Sequence, residues 1–414
     1  MSKDTSAPCP IENSPDPQVV LLTASGPPNH WPRLTCLSFQ QFVSWALLYY
    51  TFSVIQVPMR DELAWDSSLI SSGFSLTLLF YALSGPFLGR LFDQCGTWLL
   101  MLTGAVGGFS MLFIWSLVEH PIMYLVCMSL MGIFMAACLY EPAFYLVAKW
   151  FPARRTAALT FLTFFGALSS PVFLPITERL VEAYDWRIAL QILSVSGFFL
   201  VVALLISLPR THTRHPAPED NDPLHFRQVL RSRLFWRLQV GFVLISITAI
   251  GIPVSLIPYL VERGETLRFA AQCTGSIALF GIIGRLAFGR VGDGRGLDFL
   301  SALFFALMTV GVFVLLSFST QAGAYFFAAI FGLGYGALWP SRAALVARAW
   351  NGPTLATLAG AFALGPNLAK AGAPLIVTLL ATIIGLENTF AIMSLLPLVG
   401  AALIWSARGS AQLH

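Results

Sequence analysis

Charged side chains are scarce in this chain. Asp, Glu, Lys and Arg make up 11% of its 414 residues, against roughly 25% in a soluble domain, too few to cover a water-facing surface. Cysteine is sparse and unpatterned: Cys9, Cys36, Cys95, Cys127, Cys138 and Cys273 show no paired spacing. That argues against a disulfide framework or a thiolate metal site, and for small apolar residues. No Walker-type glycine loop is present, so ATP is not the expected energy source. No zinc-binding or nucleophile signature points to an enzyme or a cofactor. The net charge of +4 comes largely from basic loops and gives no ground for a nucleic-acid partner. Residues 1–32 are polar and proline-rich and run directly into a full-length apolar span, unlike a cleavable leader.

Apolar length is what the chain has in abundance. Hydrophobic residues are 57% of it, and the mean hydropathy is +0.75. Apolar stretches of about 20 residues, each long enough to cross a bilayer as a helix, follow one another. The pattern predicts twelve spans, beginning near Leu34, Ser68, Thr97, Pro121, Thr156, Arg187, Trp236, Arg268, Leu297, Ala322, Thr354 and Asn388. The longest polar break runs from Pro209 to Phe235. The expected architecture is therefore an all-α polytopic membrane protein with the lipid bilayer as its partner. It has a disordered tail at 1–33, a first six-helix bundle at 34–208, a linker at 209–235, a second six-helix bundle at 236–407 and a short tail at 408–414.

One element recurs across that break. Gly89-Arg90-Leu91-Phe92-Asp93-Gln94-Cys95-Gly96 reappears as Gly289-Arg290-Val291-Gly292-Asp293-Gly294-Arg295-Gly296, 200 residues later (289 − 89). The same frame matches Gly132 to Gly332 and Trp150 to Trp350. Two copies of one apolar unit, each carrying a charged Gly-x-x-x-Asp turn, are what a two-bundle membrane transporter needs. Loop charge orients the chain. Arg90, Lys149, Arg154, Arg155, Arg210, Arg214, Arg227, Arg231, Arg233, Arg237, Arg290, Arg295, Arg348 and Arg408 fall on one side. The opposite loops are mixed or acidic, as at Arg60-Asp61-Glu62, Glu119 and Glu387. The positive-inside rule then places both termini and the linker in the cytoplasm.

Twelve spans, two halves and a Gly-x-x-x-Asp loop after spans two and eight resemble the major facilitator superfamily. The resemblance covers nearly all of the chain outside the N-terminal tail. The first loop copy lacks the family's basic residues after the aspartate, and the second keeps only Arg295. Finer features are similar to the branch holding monocarboxylate transporters and oxalate–formate exchangers. These are Trp150-Phe151-Pro152-Ala153-Arg154-Arg155 closing span four, Trp186-Arg187 opening span six, Arg285 four residues before Gly289, and Lys370 midway along span eleven. The resemblance implies that the span-eight arginine, alone or with the span-eleven lysine, engages a substrate carboxylate, and that the protein is a monomer.

Lys370 lies too deep to snorkel, and a cation at the bilayer centre costs at least about 2.5–3.5 kcal/mol on insertion scales, so it should face a cavity with a partner. Asn367 shares its helical face at i,i+3. Gly365-Pro366 and Gly372-Ala373-Pro374 suggest a locally broken helix around it. Two readings stand: Lys370 binds an anionic substrate, or it pairs with Glu141 or another acid. Arg285 has Gly85 as its repeat counterpart, so symmetry does not demand its charge. Its planar fork suits a carboxylate, and gating or snorkelling is the alternative. Glu141, in the interruption Tyr140-Glu141-Pro142, is either a proton carrier or a partner of Arg342 or Arg155 fastening the halves.

Asp93 and Asp293, with Arg90, Arg290 and Arg295 in their loops, are assigned to gating, each aspartate against the N-terminal end of span eleven or span five. Gln40, Gln41, Trp45, Tyr49 and Tyr50 in span one, with Ser255, Pro258 and Tyr259 in span seven, supply an aromatic and amide lining. Gln41, Trp45 and Tyr49 form one stripe, facing either the cavity or lipid. The expected function is a secondary transporter in the plasma (inner) membrane. It moves a small organic anion, with a proton or an exchanged anion, by alternating access. A carrier of a bulkier aromatic or heterocyclic solute, such as a vitamin or drug, is one rival, and a non-transporting membrane sensor is another.

Overall fold

The computed structural model describes residues 30–208, 228–292, 296–350 and 355–407. Twelve helices long and apolar enough to cross a membrane run through them. In chain order they are α1 (Trp31–Leu63), α2 (Ser67–Cys95), α3 (Thr97–Trp115), α4 (Pro121–Trp150), α5 (Arg155–Tyr184) and α6 (Trp186–Ser207), then α7 (Arg233–Glu262), α8 (Leu267–Val291), α9 (Leu297–Ser317), α10 (Gln321–Ala349), α11 (Leu355–Ile384) and α12 (Leu386–Ser406). The twelve-span expectation is met, with every start close to its predicted residue. Exposed apolar side chains such as Phe87, Phe199, Phe313, Phe326 and Ile383 belong on this surface because hydrocarbon, not water, is its solvent.

The 200-residue repeat is visible in the packing. Among the first six helices, α2 packs on α4, α3 on α4 and α6, and α1 on α5. Among the last six, α8 packs on α10, α9 on α10 and α12, and α7 on α11. Glycine fixes the matched crossings: a methyl group on Gly132 would lie 2.2 Å from the Thr77 carbonyl oxygen, and one on Gly332 would lie 2.7 Å from that of Ile277. The repeat reaches the turns as well. Ala64 and Gly264 both have left-handed φ, of 51° and 89°, and so do Asp185 and Gly385, of 84° and 82°. At each pair one copy uses the residue for which this conformation carries no steric cost. Asp185 offsets the strain by accepting a hydrogen bond from the Trp186 amide at the start of α6.

Prolines inside the helices explain where buried polar side chains sit. A proline has no N–H, so it frees the carbonyl four residues earlier, and in hydrocarbon that carbonyl needs another donor. Pro142 frees Cys138, whose oxygen accepts from Gln40 Nε2 at 3.2 Å and Gln41 Nε2 at 2.9 Å. Pro340 frees Gly336, which accepts from Arg285 Nε at 3.3 Å. Pro397 frees Met393, which accepts from Thr248 Oγ1 at 2.9 Å. Pro366 frees Phe362. With its amide oriented to satisfy both neighbours, Gln239 donates to that oxygen at 2.9 Å and accepts from the Gly365 amide at 3.2 Å.

This last bridge corrects one expectation: α11 stays helical from Leu355 to Ile384 through Pro366 and Pro374. The expected interruption of span four is present, as a break at Leu139 (φ −85°, ψ −144°) between Pro121–Cys138 and Tyr140–Trp150. Helix α1 carries a π-helical turn over Ala46–Tyr50, a local widening that frequently accompanies functional sites.

Candidate functional site

The two sets of six helices meet along α2–α11 and α5–α8, and they are fastened on the side that holds the start of α1 and the end of α12, the terminal side. A methyl group on Gly360 of α11 would lie 2.2 Å from the Gly85 carbonyl oxygen of α2, and one on Gly289 of α8 would lie 2.4 Å from the Thr160 side chain of α5. Thr156 donates to the Gly292 carbonyl at 3.1 Å, and Arg155 donates to the Ala347 carbonyl at 2.6 Å. Glu141 of α4 and Arg342 of α10 form an ion pair at 2.6 Å, with the guanidinium side chain only 4% exposed. Beside this pair lies a small recess, lined by Phe144, Tyr145, Val346 and Phe362 as well as the pair itself.

On the opposite side the ion pairs stay within each set. Arg187 pairs with Glu62 at 2.8 Å and donates to the carbonyls of Ser116 and Val118. Arg263 pairs with Glu387 at 3.6 Å and donates to Leu315. The geometry is that of a molecule closed on the terminal side.

Between the halves, inside this closure, lie two cations without a carboxylate partner. Lys370 Nζ sits over the Trp339 ring, 4.0 Å from its centroid, and the Arg342 guanidinium approaches the same ring at 5.4 Å. Indole faces attract cations electrostatically, so Trp339 holds Lys370 without neutralising it. Arg285, 4% exposed, bridges the halves: its Nε donates to Gly336 of α10 and its Nη1 to the Thr163 carbonyl of α5 at 2.5 Å. Among the described residues, neither Arg285 nor Lys370 is in an ion pair. Asn367, 5% exposed, leaves its side-chain oxygen without a hydrogen-bond partner.

Aromatic side chains from the first six helices face this cluster. Trp45 packs on Tyr140 at 4.7 Å and on Tyr49 at 5.2 Å between ring centroids, and Tyr49 packs on Tyr50 at 5.0 Å. Tyr49, Tyr50 and Tyr140 lie close enough to Tyr335 of α10 to interact with it electrostatically, and Tyr50 and Tyr140 also reach Arg285. The α1 stripe at Trp45 and Tyr49 therefore faces the opposite half. The indole N–H of Trp45 is buried and has no partner.

Other predicted lining residues sit elsewhere. Gln41 is fully buried, donating to the carbonyls of Cys138 and Leu139 and to Gln40. It mends the α4 break instead of lining a cavity. Tyr259 packs on Phe390 of α12 at 4.7 Å, under Arg263 at 4.7 Å, within its own half. Glu141 adopts the fastening alternative, with Arg342 as its partner. Arg90 is engaged in an interaction, and Arg290 is exposed. The Asp93 side chain, Asp293 and Arg295 lie outside the described residues, as do 1–29, 209–227 and 408–414 of the predicted tails and linker.

Tyr335 and Trp339 were not singled out from sequence. Their signal is an aromatic pair at i,i+4 on α10 whose repeat counterparts are Met135 and Leu139. They share a face, and the symmetric scaffold does not require them there.

Residues 37–369 match the family model described as Major Facilitator Superfamily. The MFS transporter asaE of Aspergillus flavus is 24% identical over 291 residues, covering 68% of this chain and 64% of that protein. Monocarboxylate transporter 12 of Rattus norvegicus is 26% identical over 283 residues, covering 60% of this chain and 56% of that protein. Each match therefore spans less than two thirds of the relative's own length. Among solved structures, the human organic anion transporter MFSD10 (TETRAN) superposes with a TM-score of 0.73 at 15% identity. It covers 91% of this chain and 100% of that one, which speaks to the fold alone.

Proposed function

The chain belongs to the major facilitator superfamily, and we propose that within it this protein is a secondary transporter that binds an organic anion through its carboxylate. The observation that carries the reading is the pair of interior cations, Arg285 and Lys370, left without a carboxylate while the nearby acid Glu141 is taken by Arg342. Holding such charges deep in the membrane costs free energy unless something negative visits them. Arg285 spends two of its five N–H groups on carbonyls and keeps donors for a carboxylate. A relative named for monocarboxylate transport agrees with this cargo class.

In this reading residues 34–208 and 236–407 move as two bodies, and the terminal side is the cytoplasm of a plasma-membrane monomer. Opening to the cytoplasm requires the Glu141–Arg342 pair, the Arg155 and Thr156 bonds and the turns at Arg90, Asp93, Arg290, Asp293 and Arg295 to release. Once Arg342 has left, Glu141 is a desolvated carboxylate that favours protonation, which makes it the candidate coupling site for proton symport. Exchange of one anion for another needs no such step, and the two modes separate on whether Glu141→Gln abolishes proton-driven uptake but spares counterflow.

The test of the anion site is uptake of a labelled carboxylate panel into proteoliposomes. Lys370→Ala is expected to lower uptake at least about tenfold, the loss of one charge-assisted contact worth roughly 1.5–3 kcal/mol. Undiminished uptake by Lys370→Ala and by Arg285→Lys would remove both residues from the site and end the anion reading.

A further inference from the structure

Resting on that reading, we infer that the cargo is an aromatic or heteroaromatic carboxylate, not a short aliphatic one. The two halves contribute unequally where they meet: rings come from both, with Tyr335 and Trp339 on α10, but the interior cations come from one. The cations Arg285, Lys370 and Arg342 all come from the last six helices, and their repeat counterparts are Gly85, Ser170 and Pro142. The first six helices contribute rings: Trp45, Tyr49, Tyr50 and Tyr140, whose counterparts are Ile245, Ala249, Ile250 and Pro340. Both sets break the symmetry that the packing otherwise obeys, so the scaffold alone does not account for either.

A carrier that works by closing two halves around its cargo gains only from a ligand that touches both, because an equilibrium shifts by no more than the ligand's differential affinity for the two states. Acetate or pyruvate would satisfy the cations of one half and touch none of the rings of the other. A flat ring bearing a carboxylate can touch both. The acid group would meet Lys370 or Arg285, and the ring would pack against the edge of the Trp45–Tyr140 pair, whose own centroids lie 4.7 Å apart. Aromatic rings stack favourably in offset and edge-on arrangements at such separations.

Two unpartnered polar atoms sharpen the description. Asn367 Oδ1 and the Trp45 indole N–H are both buried without a hydrogen-bond partner, and native proteins seldom leave such groups unpaired. Asn367 stands one turn from Lys370, where its oxygen can accept from an N–H or O–H of the ligand. The Trp45 N–H can donate to a ring nitrogen or substituent oxygen. Plain hydrocarbon acids satisfy neither, so the favoured cargo carries a donor and an acceptor on or near its ring.

The experiment is ligand-induced thermal stabilisation and tryptophan-fluorescence titration of the full-length purified protein with three matched probes: acetate, indole-3-acetate and the uncharged indole-3-acetamide. Indole-3-acetate is expected to bind at least tenfold more tightly than either of the others. Trp45→Leu should erase the advantage over acetate, and Lys370→Ala the advantage over the amide. Tyr49→Leu, at a neighbouring position on the same stripe, serves if Trp45→Leu does not fold. Equal affinity for acetate and indole-3-acetate, both dependent on Lys370, overturns this inference and leaves the anion site standing. Equal affinity for the acid and its amide, insensitive to Lys370→Ala, overturns both, and so does the absence of binding by all three.

Discussion

Among the described residues Glu141–Arg342 is the ion pair that joins the halves, and replacing Glu141 by Gln should spring the terminal-side gate. Both partners are nearly buried, with side chains 10% and 4% exposed, and their atoms approach to 2.6 Å. Removing one member of a buried pair typically costs about 3–5 kcal/mol, because the other charge stays buried and unmatched. Here the lower end applies. The amide of glutamine can still accept one hydrogen bond, Trp339 still offers its ring at 5.4 Å, and the adjoining recess admits solvent. Arg342 Nη1 already lacks a partner, so it tolerates no further loss cheaply. In a terminal-open state the guanidinium is hydrated and the penalty vanishes. About 3 kcal/mol therefore appears as a shift of roughly a hundredfold in the closed-to-open ratio, at 1.4 kcal/mol per factor of ten.

The assay uses a Val346→Cys probe in a background whose native cysteines are replaced by serine. Val346 lines the recess and is 5% exposed while the gate is shut, so maleimide labelling reports opening. Glu141→Gln should raise the labelling rate by one to two orders of magnitude, and Glu141→Gln with Arg342→Gln should return most of the way towards the parent. An unchanged rate in a folded single variant would refute the claim that this pair holds the halves together.

Two further perturbations use the same structural logic. Gly360→Ala drives a methyl group to within 2.2 Å of the Gly85 carbonyl, a backbone atom that cannot step aside. It should raise the same labelling rate, whereas Gly275→Ala, with nothing within 4 Å, should not. Thr248→Val removes the donor to the carbonyl freed by Pro397 and should lower thermal stability by about 1–3 kcal/mol, the usual cost of an unsatisfied buried acceptor. Adding Pro397→Ala restores an N–H to that carbonyl, so the double variant should recover most of the loss, and additive destabilisation would refute the proline explanation.

The twelve spans were legible because a bilayer imposes length and apolarity on each span separately. The repeat was legible because Gly89 and Gly289 recur near the ends of the matched helices α2 and α8, and Gly132 and Gly332 at symmetric crossings where only glycine fits. Site residues were legible where they carried charge: Lys370 and Arg285 stand out because a charge in hydrocarbon demands a reason. Amides misled. Gln41 shares the stripe of Trp45 and Tyr49, but the structure employs it on the carbonyl freed by Pro142, a partner 97 residues away in sequence. Gln239 does the same service for Pro366, and so α11 stays whole where its glycines and prolines suggested a break.

These cases follow a common physical course. In a membrane a proline inside a helix frees one carbonyl, and at Pro142, Pro340, Pro366 and Pro397 a polar side chain on a neighbouring helix meets it. Polarity at depth is therefore ambiguous until the prolines have been matched to their donors. Arg285 remains of interest after that matching, because one contact with Gly336 mends α10 and a second, with Thr163, reaches across to the other half. A mending residue needs only the first. The second is made to a helix of the other half, so in the proposed cycle the guanidinium that would meet an incoming carboxylate is the same one that would let go of α5. On that proposal ligand and latch compete for one side chain, which would give anion binding a direct physical route to the conformational equilibrium.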